Sequence, residues 1–172
     1  MYKEIEGNLI TLAKQGTFDV ITHGCNCMCL MGAGIAPQMD KAFGCGRYKL
    51  EDEVMRGDIN KLGLIDYNSF IITQKGLLLP FSELTKELPE GAHKLTVVNS
   101  YTQYSPAVHL LPLDYEALTL CLRKINHVFK GQHIGLPRIG AGLAGGIWSH
   151  IKDIIEKELK DCDATVVNYK KD

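Results

Sequence analysis

Residues 19–36, DVITHGCNCMCLMGAGIA, constrain this chain more than any other stretch. They open as a short apolar β run, Val20-Ile21-Thr22, and pass through small and polar side chains to a turn, Gly32-Ala33-Gly34. Residues 35–43 behind the turn have helical spacing, and Pro37 is tolerated in a first helical turn, where its missing N–H would be unpaired anyway. Strand, glycine loop and helix in that order bring free backbone N–H groups and the positive end of a helix dipole to one point. Such a point binds anions, phosphates above all. A Gly-x-Gly sequence alone also makes plain turns, so the weight rests on His23 and Asn26, polar residues placed just ahead of the loop.

The rest of the chain alternates strands and helices. Residues 2–6 read as an edge strand, Gly7-Asn8 as a turn that starts a helix, and Gly16 as its stop. A charged amphipathic helix is expected over residues 47–55. Residues 62–67 and 70–73 read as two strands with Asn68-Ser69 turning between them, residues 76–80 as a short strand, and residues 81–91 as a polar surface insertion. Residues 94–101, KLTVVNSY, form a strong central β run. Leu118, Leu122, Ile125 and Phe129 share one helical stripe, with Asp114 placed to favour its N-terminus. A strand over residues 133–136 leads to a second glycine-rich loop, residues 137–146. A helix from Trp148 and a strand over residues 164–169 follow. This pattern predicts α/β layers on a mixed sheet, in which ligands sit at the carboxyl ends of the strands. Both glycine loops leave strands there.

Charge and cysteine usage narrow the function classes. The 172 residues carry a formal net charge of -1 with acids and bases interspersed, which argues against a binder of nucleic-acid backbones. No apolar run approaches the roughly 20 residues of a membrane span, and the N-terminus lacks a signal-peptide layout, so the expected compartment is the cytoplasm. Cys25, Cys27 and Cys29 alternate, while Cys45, Cys121 and Cys162 are scattered without a CxxC pair. They are expected to be reduced core residues, with no metal site and no cofactor. Nothing in the sequence singles out a reactive thiol among the first three.

HGCNCMCLMGAGIA and LPRIGAGLAGGIW resemble the two signature loops of macro domains, and the order and spacing of the elements between them also fit. The resemblance spans essentially the whole chain. It implies one macro domain over residues 1–172, a three-layer α/β/α fold with a central mixed, mostly parallel sheet of about six strands. It further implies binding of ADP-ribose or a derivative. Gly32, Ala33, Gly34, Ile35 and Ala36 on one side, and Arg138, Ile139, Gly140, Ala141, Gly142 and Leu143 on the other, would enclose the diphosphate and distal ribose. Asn26 matches the asparagine that contacts the distal ribose. Asn8 stands where many members carry an aspartate for the adenine amino group.

Within the family, the histidine at His23 and the asparagine at Asn8 look most like ADP-ribose 1''-phosphate phosphatases. On that reading His23 orients or deprotonates the attacking water, with Asn26 fixing the ribose. The plainer role for His23 is a buried hydrogen bond at a strand end. The ADP-ribosyl hydrolases of the family use a lysine at the strand end where this chain has Asn99-Ser100-Tyr101, and some an aspartate where it has Ala144. These departures count against a lysine-dependent mechanism. The alternatives are an ADP-ribosyl hydrolase acting on protein or nucleic acid, and a non-catalytic ADP-ribose reader. The expected partner is therefore a small-molecule ADP-ribose derivative or an ADP-ribosylated protein, rather than a membrane or free nucleic acid.

Overall fold

A computed structural model describes residues 1–48, 56–83, 87–106 and 112–172. Its strands are β1 (Tyr2–Gly7), β2 (Val20–Asn26), β3 (Ile65–Ile72), β4 (Leu78–Pro80), β5 (His93–Gln103), β6 (His133–Leu136) and β7 (Asp163–Tyr169). They form one sheet in the order β1-β7-β6-β2-β5-β3-β4. The pairings from β1 across to β5 are parallel, and β5–β3 and β3–β4 are antiparallel. The sheet is thus mixed and mostly parallel, with seven strands rather than about six.

Side-chain parity assigns the faces. On β2, Val20 packs with Val98, Ile134, Ala164 and Val166 beneath helices α3 (Tyr115–Val128) and α4 (Trp148–Glu158). Ile21, one residue on, packs with Leu95, Val97 and Val167 against α1 (Leu9–Lys14) and α2 (Ala36–Phe43). Strands buried on both faces read as nearly continuous apolar runs, as these do. Helix ends follow local rules. Asp114 Oδ1 accepts the Ala117 N–H at 2.9 Å and caps α3, and Gly44 closes α2 at φ +64.

Two expectations change. Residues 65–72 form one strand, because each pairs with β5, from Ile65 opposite Ser100 to Ile72 opposite His93. The turn preference of Asn68-Ser69 yields to that ladder, and Ser69 Oγ lies 2.8 Å from Thr96 Oγ1 across it. The first β run also continues to Asn26, well past Thr22. The helix expected over residues 47–55 falls almost wholly outside the described residues, as does part of the 81–91 insertion.

Candidate ligand-binding cleft

At the carboxyl ends of β2, β5, β6 and β7 lies a cleft of about 750 Å³. One wall is the 32–36 loop entering α2, and the opposite wall is the 137–144 loop that leaves β6. Gly24 and Thr102 lie between them, and Val167 and Tyr169 bound the end beside β7. Gly32, Ala33, Gly34, Ile35, Ala36, Arg138, Ile139, Gly140, Ala141, Gly142 and Leu143 all line this space.

The walls are rich in unspent donors. Among the described residues, none accepts the backbone N–H of Gly32, Ala33, Gly34 or Ile35, nor those of Gly140, Gly142 and Leu143 opposite. Backbone donors without partners are rare unless solvent or a ligand takes them. Gly34 holds φ +61 with open space where a side chain would project. Gly140 holds φ +74, and a Cβ there would sit 2.8 Å from Leu113 Cδ1. The two loops therefore need glycine for backbone angle in both cases and for close packing in the second.

Asn26 lines the cleft, but its amide is engaged in shaping the loop. Nδ2 donates to the Leu30 carbonyl at 2.8 Å, and Oδ1 accepts the Leu30 N–H at 3.2 Å. One N–H and one lone pair remain for a ligand. Arg138 is exposed, with its guanidinium 4.7 Å from the Trp148 ring. Trp148 thus braces an arginine at the start of α4.

Asn8 and His23 do not line the cleft. Asn8 caps α1, accepting the Ile10 and Thr11 N–H groups at 3.1 and 3.3 Å, while its Nδ2 donates to Asp172. His23 is fully buried on the α2 face of β2, two residues on from Ile21. Asn99 Nδ2 donates to the Cys45 carbonyl at 2.8 Å, which turns Asn99 Oδ1 toward the imidazole. His23 Nε2–H therefore donates to that oxygen, at 2.8 Å, and Nδ1 is left as a buried lone pair without a partner. Burial lowers the His23 pKa to about 4 against the smaller opposing effects of Asn99 and Asp40. His23 thus occupies the buried hydrogen-bonding position at the strand end, outside the cleft lining, rather than a position bordering the ligand space.

Parity also revises the strand end of β5. Tyr101 turns away from the cleft and donates to Asp66 Oδ2 at 2.9 Å, and Tyr104 donates to the Gly57 carbonyl. Thr102, which sequence reasoning passed over, faces the cleft instead, beside Gln103. Thr102 is almost wholly buried. The signal was available in alternation, since the residue after an inward tyrosine points to the other face. Among the described lining residues there is no carboxylate and no histidine. The Cys25 thiol, also in the lining, is pushed well up by burial. The site can hold an anion through peptide dipoles, but it has few side chains that move protons near neutrality.

Two glycine-rich loops facing each other over the strand ends of a three-layer α/β/α sheet are the macrodomain fold. The macrodomain of DarG from Thermus aquaticus superposes with a TM-score of 0.59 over 99% of both chains, at 22% identity. DarTG from Thermosipho africanus, solved in complex with ADP-ribose, does so with a TM-score of 0.63 at 16% identity, over 98% of this chain and 41% of that one. No family model matches the chain. The chain belongs to the same family as the uncharacterized 17.5 kDa protein of the tk-vs intergenic region of Enterobacteria phage T4. The two are 31% identical over 173 residues, covering 97% of this chain and 96% of the phage protein.

Proposed function

We propose that the cleft binds ADP-ribose and that the protein removes the terminal phosphate of ADP-ribose 1''-phosphate. The observation that carries the reading is the set of backbone N–H groups without a partner among the described residues, Gly32–Ile35 on one wall and Gly140, Gly142 and Leu143 on the other, in the two loops that line one cleft. Its volume falls in the usual range for a small-molecule site. Donors fixed in this way stabilise phosphate oxygens without reorganising, and water exclusion between the loops strengthens them. On this reading the Thr102 hydroxyl and the second Asn26 N–H, both in the cleft lining, orient the distal ribose and the attacking water. Water attacks phosphorus, the P–O bond to the ribose breaks, and a phosphate oxygen of the substrate takes the water's proton and passes it to the departing ribose oxygen, which leaves as a hydroxyl. His23 supports this site only from behind, by packing β2 against β5.

A second reading, a non-catalytic reader of ADP-ribose, is favoured by the lack of carboxylate and imidazole groups among the described lining residues. The lysine-dependent hydrolase has less support. Thr102 and Gln103 occupy the strand end, Ala144 the second loop, and Lys61 is buried elsewhere. The test offers the protein ADP-ribose 1''-phosphate, an ADP-ribosylated protein and an ADP-ribosylated DNA, with ADP-ribose binding followed by calorimetry. Phosphate release that Gly34→Glu abolishes and His23→Gln retains is the expected result. Binding without turnover on any substrate establishes the reader. No ADP-ribose binding in the unmutated protein overturns the reading altogether.

A further inference from the structure

On the face of the sheet to which Tyr101 turns, away from the cleft lining, a lysine nitrogen lies against a cysteine sulfur. Lys61 is fully buried, and its Nζ donates to Cys29 Sγ at 2.8 Å. The same Nζ lies 5.7 Å from the centre of the Tyr101 ring. An enclosed lysine is costly unless its charge is paired or shared. Cys29 has φ +56, the left-handed region that non-glycine residues seldom occupy, and it does so alone among the described non-glycine residues. The segment carrying Lys61 is tied to the loop a second time, by the Gly57 N–H on the Cys27 carbonyl at 2.7 Å. Sulfur and nitrogen are thus held in register by several independent contacts.

The other five cysteines are buried thiols whose pKa values burial raises, to about 11 for Cys27 and about 12 for Cys45 and Cys121. Such thiols react poorly. The cation against Cys29 sets it apart from them by geometry. Cys29 is 7% exposed.

We propose that Cys29 and Lys61 form a reversible covalent cross-link when the protein meets a peroxide. Cys29 Sγ attacks one peroxide oxygen and the O–O bond breaks. The departing oxygen takes the proton shared by the Cys29–Lys61 pair and leaves as water, so sulfur is oxidised to the sulfenic acid and the peroxide is reduced. The now neutral amine attacks sulfur, the S–O bond breaks, and a second water leaves with a proton from nitrogen. The product is an S–N sulfenamide joining residues 29 and 61, which thiols reduce back to the starting pair. Asn26 and Leu30, which bracket Cys29, line the cleft. Closing 2.8 Å to a single bond therefore draws this loop away from the ligand, a consequence that rests on the ADP-ribose reading.

The test treats the full chain with stoichiometric hydrogen peroxide and reads intact mass and non-reducing peptide maps. The expected result is a loss of about 2 Da and a Cys29–Lys61 peptide pair, both reversed by dithiothreitol. Cys29→Ser and Lys61→Arg should each abolish them. A 2 Da loss that survives in Lys61→Arg identifies a disulfide and overturns the proposal. So does a gain of about 16 or 32 Da on Cys29 with the Lys61 peptide still free. Wild-type mapping decides the question even if a variant fails to fold. ADP-ribose affinity should fall at least threefold on oxidation. If ADP-ribose does not bind at all, the cleft reading fails while the mass data still decide the cross-link.

Discussion

His23 offers the most direct check on the distinction between a catalytic and a buried histidine. Its folded-state pKa is about 4, against an ordinary value of 6.5, because the imidazolium would lose its hydration with no carboxylate in contact to replace it. The group is fully enclosed, so this difference acts on stability without solvent screening. Its sign follows from which state binds the proton first. Above pH 6.5 neither state is protonated, and the folded protein is unaffected. As pH falls below 6.5 the unfolded chain takes up a proton that the folded chain refuses, and stability drops until the folded group titrates near pH 4. The loss is about 2 kcal/mol between pH 7.5 and 5, and saturates near 3 kcal/mol below pH 4. Carboxylates titrate in the same window, so the contribution must be read as a difference between proteins. In His23→Gln the amide N–H can still reach Asn99 Oδ1, but nothing titrates. Urea unfolding at pH 7.5, 6, 5 and 4.5 should show wild type losing about 2 kcal/mol more than the variant by pH 5. Parallel pH profiles for the two would refute the buried-neutral assignment and restore His23 as a solvent-reaching group.

Two further outcomes follow from the packing and the loops. A Cβ at Gly135 would stand 2.7 Å from the Phe18 ring, so Gly135→Ala should cost about 1–3 kcal/mol in urea unfolding, with ADP-ribose affinity recovered in the folded fraction. Asn26→Ala removes both bonds to Leu30, and calorimetry should show at least a tenfold loss of ADP-ribose affinity, with only about 1–2 kcal/mol lost in thermal unfolding. A variant that binds normally would show that the 26–30 loop does not need its amide clasp.

What was legible in the sequence had a short range. The stripe Leu118, Leu122, Ile125 and the cap at Asp114 lie within a few turns of one helix, and the structure buries the stripe and caps the helix as their spacing requires. The glycine loops were readable because glycine marks backbone conformation directly. Asn68-Ser69 misled because a local turn preference says nothing of the strand waiting opposite, and eight paired residues on β5 outweigh it. His23 reads differently for another reason. Its place in the chain is near the cleft, but a strand sends alternate side chains to opposite faces. The length of β2 past Thr22 decided which face His23 took. Thr102 gained the cleft by the same rule that Tyr101 lost it.

That parity also bears on how the cleft can act. The polar side chains nearest the strand ends divide into two sets: Thr102, Gln103 and Asn26 border the ligand space, while His23, Asn99, Tyr101 and Asp66 form hydrogen bonds on the far side of the sheet. The far set is enclosed and packs β2, β5 and β3 together. The near set is small and uncharged. Charge for an anionic ligand must then come from the backbone, with Arg138 the one cationic side chain among the described lining residues. A backbone cradle is only as good as the rigidity of its loops, because peptide N–H groups cannot swing to follow a displaced phosphate. The buried network and the Asn26–Leu30 clasp supply that rigidity on one wall, and the tight fit of Gly140 against Leu113 supplies it on the other. The residues that look most chemical in the sequence thus serve the site by holding still the ones that look least so.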